Sequence, residues 1–195
     1  AYDESRNILD NVTFELKSGK SVAIVGPSGA GKSTIINLIL RLYDTTSGSI
    51  LFEENNVRDL DLKFIRDHIG LVTQDTYLFN STILDNLLYA NSKATMEMIV
   101  DACKKANIHD FIESLPEKYN SVVGNRGLKL SGGEKQRLSI ARVLLKDPTV
   151  VIFDEATSSL DSIAENLIQE AIAPMIQEKT SIVIAHRLST ILAAD

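Results

Sequence analysis

The chain has 195 residues, 44% of them hydrophobic, and a formal net charge of −6. That content can bury one substantial core, enough for one domain or two small ones, while acidic, well-mixed charge argues against a nucleic-acid groove and reads as a solvated surface. The one cysteine, Cys103, excludes an internal disulfide and suits a reducing compartment, and no apolar run approaches the ~20 residues that cross a bilayer.

In chain order, residues 8–16 alternate apolar and polar as a half-buried strand does, Ser18-Gly19 turns the chain, and 21–25 form the fuller apolar run of a buried parallel strand. Gly26-Pro27-Ser28-Gly29-Ala30-Gly31-Lys32-Ser33 follows, with the spacing of a P-loop. Its glycines let successive N–H groups converge on phosphate oxygens, and the helix start adds its positive dipole end. Lys32 is placed to reach the β- and γ-phosphates and Ser33 to offer a hydroxyl to Mg2+. An ordinary glycine-rich turn is the alternative, and the flanking strand and helix favour the cradle.

Helical periodicity over 35–42 ends at Asp44-Thr45-Thr46-Ser47-Gly48, a short strand covers 49–52, a helix 62–68 and a strand 69–73. From 81 to about 146 strand character disappears. Segments 83–89, 96–106, 111–115 and 138–145 read as helices, an apparent helical insertion in which Cys103 is a packed thiol. Strand 149–153, helix 163–176 and strand 181–185 then restore the alternation, which implies a mostly parallel α/β sheet.

Strand 149–153 delivers Asp154 and Glu155 at its carboxyl end, where open α/β sheets bind ligands. Beside a P-loop, Asp154 can hold Mg2+ and Glu155 can orient or deprotonate an attacking water; the alternative is an acidic helix start favoured by the dipole. Leu130-Ser131-Gly132-Gly133-Glu134 fits a capping box through Ser131 and Glu134. The box leaves the paired glycines unexplained, and they expose N–H donors to an approaching anion. His68 and His109 belong to no metal-ligand cluster.

The order of P-loop, LSGGE, VVIFDE, SSLD and a late strand followed by His resembles an ATP-binding cassette ATPase over essentially the whole chain. The resemblance implies an α/β fold: a P-loop NTPase core with a mostly parallel sheet, a small antiparallel β part and an inserted all-helical subdomain. One nucleotide-binding domain would span 1–195, with the catalytic core at 1–74 and 148–195 and the helical subdomain at about 75–147. In that family two such domains pair head to tail around ATP. By resemblance, ATP is bound by Tyr2, stacking on adenine, and by Gly26, Ser28, Gly29, Ala30, Gly31, Lys32, Ser33 and Thr34. Ser131, Gly132, Gly133 and Asp161 would reach across the dimer, though Asp161 could equally cap the following helix. Ser33, Gln74 and Asp154 would serve Mg2+, and Glu155, His186 and Gln74 the hydrolysis.

Two stretches resemble the exporter branch, in which the cassette is fused to or assembled with a transmembrane domain: 73–83, containing Leu78-Phe79-Asn80, and 122–127. Asn125 departs from the acidic residue common there, and Glu134 replaces the commoner glutamine. The implied function is ATP hydrolysis powering export, on the cytoplasmic face of a membrane and held there by the transmembrane partner, in a soluble domain trimmed at both ends. A soluble cassette ATPase of DNA maintenance or translation is the rival; the acidic balance and the absence of a coiled-coil heptad insertion stand against it.

Overall fold

The computed structural model describes residues 8–124, 128–154 and 160–185. Strand β1 (Ser21–Val25) leads into helix α1 (Lys32–Ile39), and the antiparallel pair β2 (Leu51–Phe52) and β3 (Asn55–Asn56) precedes α2 (Leu62–His68) and β4 (Ile69–Val72). Next come β5 (Ser81–Thr82), α3 (Ile83–Leu88), α4 (Met96–Lys105), α5 (His109–Ser114) and β6 (Val122–Val123), which pairs antiparallel with β5. Helix α6 (Gly132–Lys146), β7 (Val150–Asp154), α7 (Ser162–Glu178) and β8 (Thr180–Ala185) follow.

β1, β8, β7 and β4 lie side by side in that order, all parallel. Both faces of this sheet are covered, as parallel sheets require, and alternate residues enter different cores. Val151, Phe153 and Val183 point into a large cluster built with α3, α4, α6 and α7. Ile152, Ile182 and Ile184 point into a second cluster with Ile36 of α1 and Ile65 of α2. The expected α/β architecture with a helical insertion is therefore present, and the insertion shares its apolar cluster with one face of the sheet.

Local chemistry sets the helix ends. Asp61, Thr82, Thr95, Ser131 and Asp161 each accept a first-turn N–H, at α2, α3, α4, α6 and α7 respectively. Helix α1 instead starts from Gly31 with no side-chain cap. Helix α6 stops where Asp147 turns left-handed (φ 50°) ahead of Pro148.

Three local differences from the sequence reading have physical causes. Residues 8–16 form no strand: Asn11 is left-handed (φ 50°), and Val12 and Phe14 are exposed, so no face of the alternating run is buried. Helix α6 begins at Gly132, ahead of its first aliphatic residue, because the Ser131 cap organises the glycine pair. The two-residue strands β3, β5 and β6 are too short to carry a period.

Cys103 is fully buried, as expected of a packed thiol. Burial pushes it up to about 11, against the opposing pull of a hydrogen bond with Tyr119, whose hydroxyl lies 2.9 Å from His109 Nδ1. At pH 8 such a thiol carries roughly two-hundredfold less thiolate than an ordinary cysteine. Alkylation followed by intact-mass measurement is expected to leave the folded chain unmodified and to label it fully in urea.

Candidate functional site

The loop after β1 is shaped by Gly29 (φ 79°) and Gly31 (φ 90°), both in the left-handed region. Gly31 is also closely covered: a Cβ there would sit 2.8 Å from Leu9 Cδ2 and 3.1 Å from Ile8 Cγ2. Lys32 is 7% exposed, and its Nζ donates to the carbonyls of Gly26 (2.8 Å) and Pro27 (3.0 Å), which holds a positive charge in the curl of the loop. Ser28, Gly29, Ala30 and Ser33 are exposed, and Gly26 and Thr34 half-buried. Left-handed glycines, an internal ammonium and an α1 start without a side-chain acceptor suit a phosphate chain.

The sheet brings two further groups to this edge. Asp154 is in register with Ile184, and Ile184 with Ile24, so Asp154 stands two strands from the end of β1, roughly 10 Å away. Gln74 leaves the neighbouring strand, just past the Val72–Phe153 pair, and is exposed. A hard cation takes oxygen ligands, and the Ser33 hydroxyl, the Asp154 carboxylate and the Gln74 amide fit Mg2+ bound between protein and phosphate.

Ser131–Gly133 and Asp161 form a second locus. Ser131 Oγ accepts from Glu134 N–H (3.3 Å) while the Glu134 carboxylate accepts from Ser131 N–H (2.7 Å), so the glutamate at this position completes the box. The Ser131 hydroxyl is thus oriented as an acceptor, and its own proton remains a donor. Asp161 caps α7, accepting from Ile163 N–H (3.1 Å) and Ala164 N–H (2.9 Å). Tyr2, Glu155 and His186, expected at the site from the sequence, lie outside the described residues, as do Asn125, Ser158 and Ser159.

The glycine pair has a packing role that the sequence reading missed. A Cβ on Gly133 would lie 2.7 Å from Ala164 Cβ, and one on Gly132 3.1 Å from Leu160 Cδ2. The first turns of α6 and α7 approach this closely because position 133 has no side chain.

An exposed aromatic ledge builds on the 73–83 stretch read as exporter-like; its Tyr89 and its polar supports escaped the sequence reading. Tyr77 and Tyr89 are 74% and 73% exposed, and Phe79 lies between them with ring centroids 5.5 Å and 4.5 Å away. Polar groups support it from beneath. Asn86, fully buried, donates to the carbonyls of Phe79 (3.0 Å) and Thr82 (2.8 Å) and accepts from Phe79 N–H (2.9 Å). Arg142 of α6 donates to the carbonyls of Asn86 and Tyr77 (both 2.8 Å) and to Asn86 Oδ1, and its guanidinium carbon stands 5.9 Å from the Phe79 ring centre. Burial lowers the Arg142 pKa below the usual arginine value, and these acceptors offset that desolvation. The available signal was an asparagine on the apolar phase of α3, at the i+3 position between Ile83 and Leu87.

A family model described as "ABC transporter" matches residues 9–158. The chain belongs to the ABC transporter family. It is 52% identical over 195 residues to ABC transporter aclQ of Aspergillus oryzae, covering 100% of this chain and 24% of that protein. It is 50% identical over 192 residues to the putative multidrug export ATP-binding/permease protein YgaD of Bacillus subtilis, covering 98% and 33%. Its fold superposes on a bacterial Atm1-family ABC exporter with ATP bound at a TM-score of 0.92 and 47% identity, covering 100% of this chain and 34% of that one. The P-loop NTPase fold read from the motifs is thereby the fold of the chain. It spans about a quarter to a third of the length of these relatives, and among the described residues no helix is long and apolar enough to cross a membrane.

Gly133→Ala is expected to destabilise the chain by about 1–3 kcal/mol, because the new methyl overpacks the α6–α7 contact. The companion change Ala164→Gly should recover part of the loss. Thermal unfolding of the two single variants and the double variant measures this, and additivity of the two losses would sink the packing explanation.

Proposed function

We propose that this chain is the ATP-binding and ATP-hydrolysing domain of an exporter-type transporter, working as one of two domains paired head to tail. The observation that carries the reading is the shared sheet edge: the Lys32 loop, Asp154 and Gln74 leave parallel strands of one sheet, β1, β7 and β4, on one side, in a chain of this family. In this reading the P-loop residues Gly26 to Thr34 hold the phosphates and Tyr2 the adenine. A bound Mg2+ would supply charge neutralisation to the phosphate chain. Ser33, Gln74 and Asp154 are the residues that would hold it.

Glu155 accepts the proton of the attacking water and His186 donates to the γ-phosphate, so charge developing at the transferred group meets preorganised donors. Ser131, Gly132 and Gly133 offer the Ser131 proton and the start of α6 to the γ-phosphate of the opposite domain, with Asp161 beside them. The catalytic core takes in 1–74 and 148–195, and the helical subdomain about 75–147. The ledge of Tyr77, Phe79 and Tyr89 faces the transmembrane partner, fused or separate, at the cytoplasmic side of the membrane. Relatives named as exporters favour this over a soluble ATPase of DNA maintenance or translation.

Glu155→Gln is expected to abolish turnover while Mg-ATP shifts the chain to a dimer. Size-exclusion chromatography with light scattering, run beside an ATPase assay of both forms, checks this. Hydrolysis by the variant at the unmodified rate would remove Glu155 from the role of base, and a chain that binds no ATP would remove the whole reading.

A further inference from the structure

One polar side chain of α6 is used neither by the helix nor by the candidate site. Gln136 is 2% exposed, and both ends of its amide are committed to the segment after β4. Its Nε2 donates to the carbonyl of Thr73 (3.0 Å), and its Oε1 accepts from the hydroxyl of Thr76 (3.0 Å). These two partners bracket Gln74. The Thr73 hydroxyl curls the same turn by donating to the Asp75 carbonyl (2.9 Å).

Gln136 lies five residues past the Ser131 cap, about 7.5 Å along the helix axis. It therefore joins the turn carrying Gln74 to the turn carrying Ser131 through one rigid element. Further along, Arg142 holds the Tyr77 carbonyl, and Lys146 donates to the carbonyl of Ile69 (2.9 Å) at the start of β4. The helix is thus fastened to the 69–77 segment at several points, with Gln136 nearest to both nucleotide-facing groups. A buried amide that loses its partners is costly, so the turn and the helix start shift together or the bracket breaks.

We infer that Gln136 is a positioning residue that makes the Gln74 turn and the Ser131 end of α6 move as one body. A change at one nucleotide site is thereby transmitted to the surface offered to the opposite site. This rests on the reading of Gln74 and Ser131 given above. Gln136 itself touches no nucleotide.

The test is hydrogen–deuterium exchange of the unmodified chain, Gln136→Leu, Thr76→Ser and Thr76→Val, with and without Mg-ATP. Without nucleotide, Gln136→Leu should speed exchange over residues 73–77 about tenfold or more, and Thr76→Ser, which keeps the hydroxyl, should match the unmodified chain. With Mg-ATP the unmodified chain should slow at the P-loop and at 131–135 together, whereas Gln136→Leu should slow at the P-loop alone. If Gln136→Leu fails to fold, Thr76→Val removes one of the two bonds and is read the same way, with a smaller change.

Unchanged exchange over 73–77 in the variant overturns the proposal, as does slowing at 131–135 that survives the substitution or is absent from the unmodified chain while its P-loop responds. An unmodified chain whose P-loop ignores Mg-ATP overturns the proposed function instead, and the nucleotide-free comparison then still decides the role of Gln136.

Discussion

The parallel ladder β1-β8-β7-β4 is the constraint from which the rest follows. Because the sheet is covered on both faces, β7 must send Ile152 to one core and Val151 and Phe153 to the other. A slip of one residue would exchange those faces and misfit both layers at once. That requirement fixes the height of Asp154 against Ile184 and, through β8, against Ile24. The relative placement of the Lys32 loop, Asp154 and Gln74 is thus set by the register of buried aliphatic residues. The loops then need only short-range geometry, which Gly29 and Gly31 supply.

Helix α6 answers to two demands. Its first turn has to approach α7 at a distance that leaves no room for a Cβ on Gly133, and it also has to present Ser131 at an exposed end. Glycine serves the packing but weakens a first turn by its backbone entropy. The reciprocal bonds between Ser131 and Glu134 offset that weakness where it arises. Beyond this turn the helix is mostly buried, and among the polar side chains it retains there Gln136 and Arg142 fasten the segment after β4.

Much of this was legible in the sequence because each signal was local. The P-loop spacing, the capping pair at Ser131 and Glu134, and the apolar runs of β1, β7 and β8 all lie within a few residues, and each took the expected place. What could not be read depends on pairs far apart in the chain. Gly133 looked like a donor-exposing glycine, and only its distance to Ala164 shows that it is also a packing glycine. Gln136 and Arg142 drew no reading, since nothing near them in sequence names Thr73, Thr76 or Asn86 as partners. The 8–16 alternation misled for the opposite reason: its pattern was local, and among the described residues no layer buries Val12 or Phe14, although Leu16 packs against the second core.

The ledge of Tyr77, Phe79 and Tyr89 is supported by polar side chains from two helices, Asn86 of α3 and Arg142 of α6. Exposed rings gain little from one another in water, and fixing their loop costs conformational entropy. Asn86 and Arg142 nonetheless commit a buried amide and a half-buried guanidinium to the backbone of that loop. A rigid apolar surface reduces the ordering cost of docking. The same helix that supports the ledge through Arg142 holds the Gln74 turn through Gln136 and ends at Ser131. Under the proposed function, load applied at the ledge therefore reaches both nucleotide-facing loci through a single helix, without any bond having to form or break in the sheet.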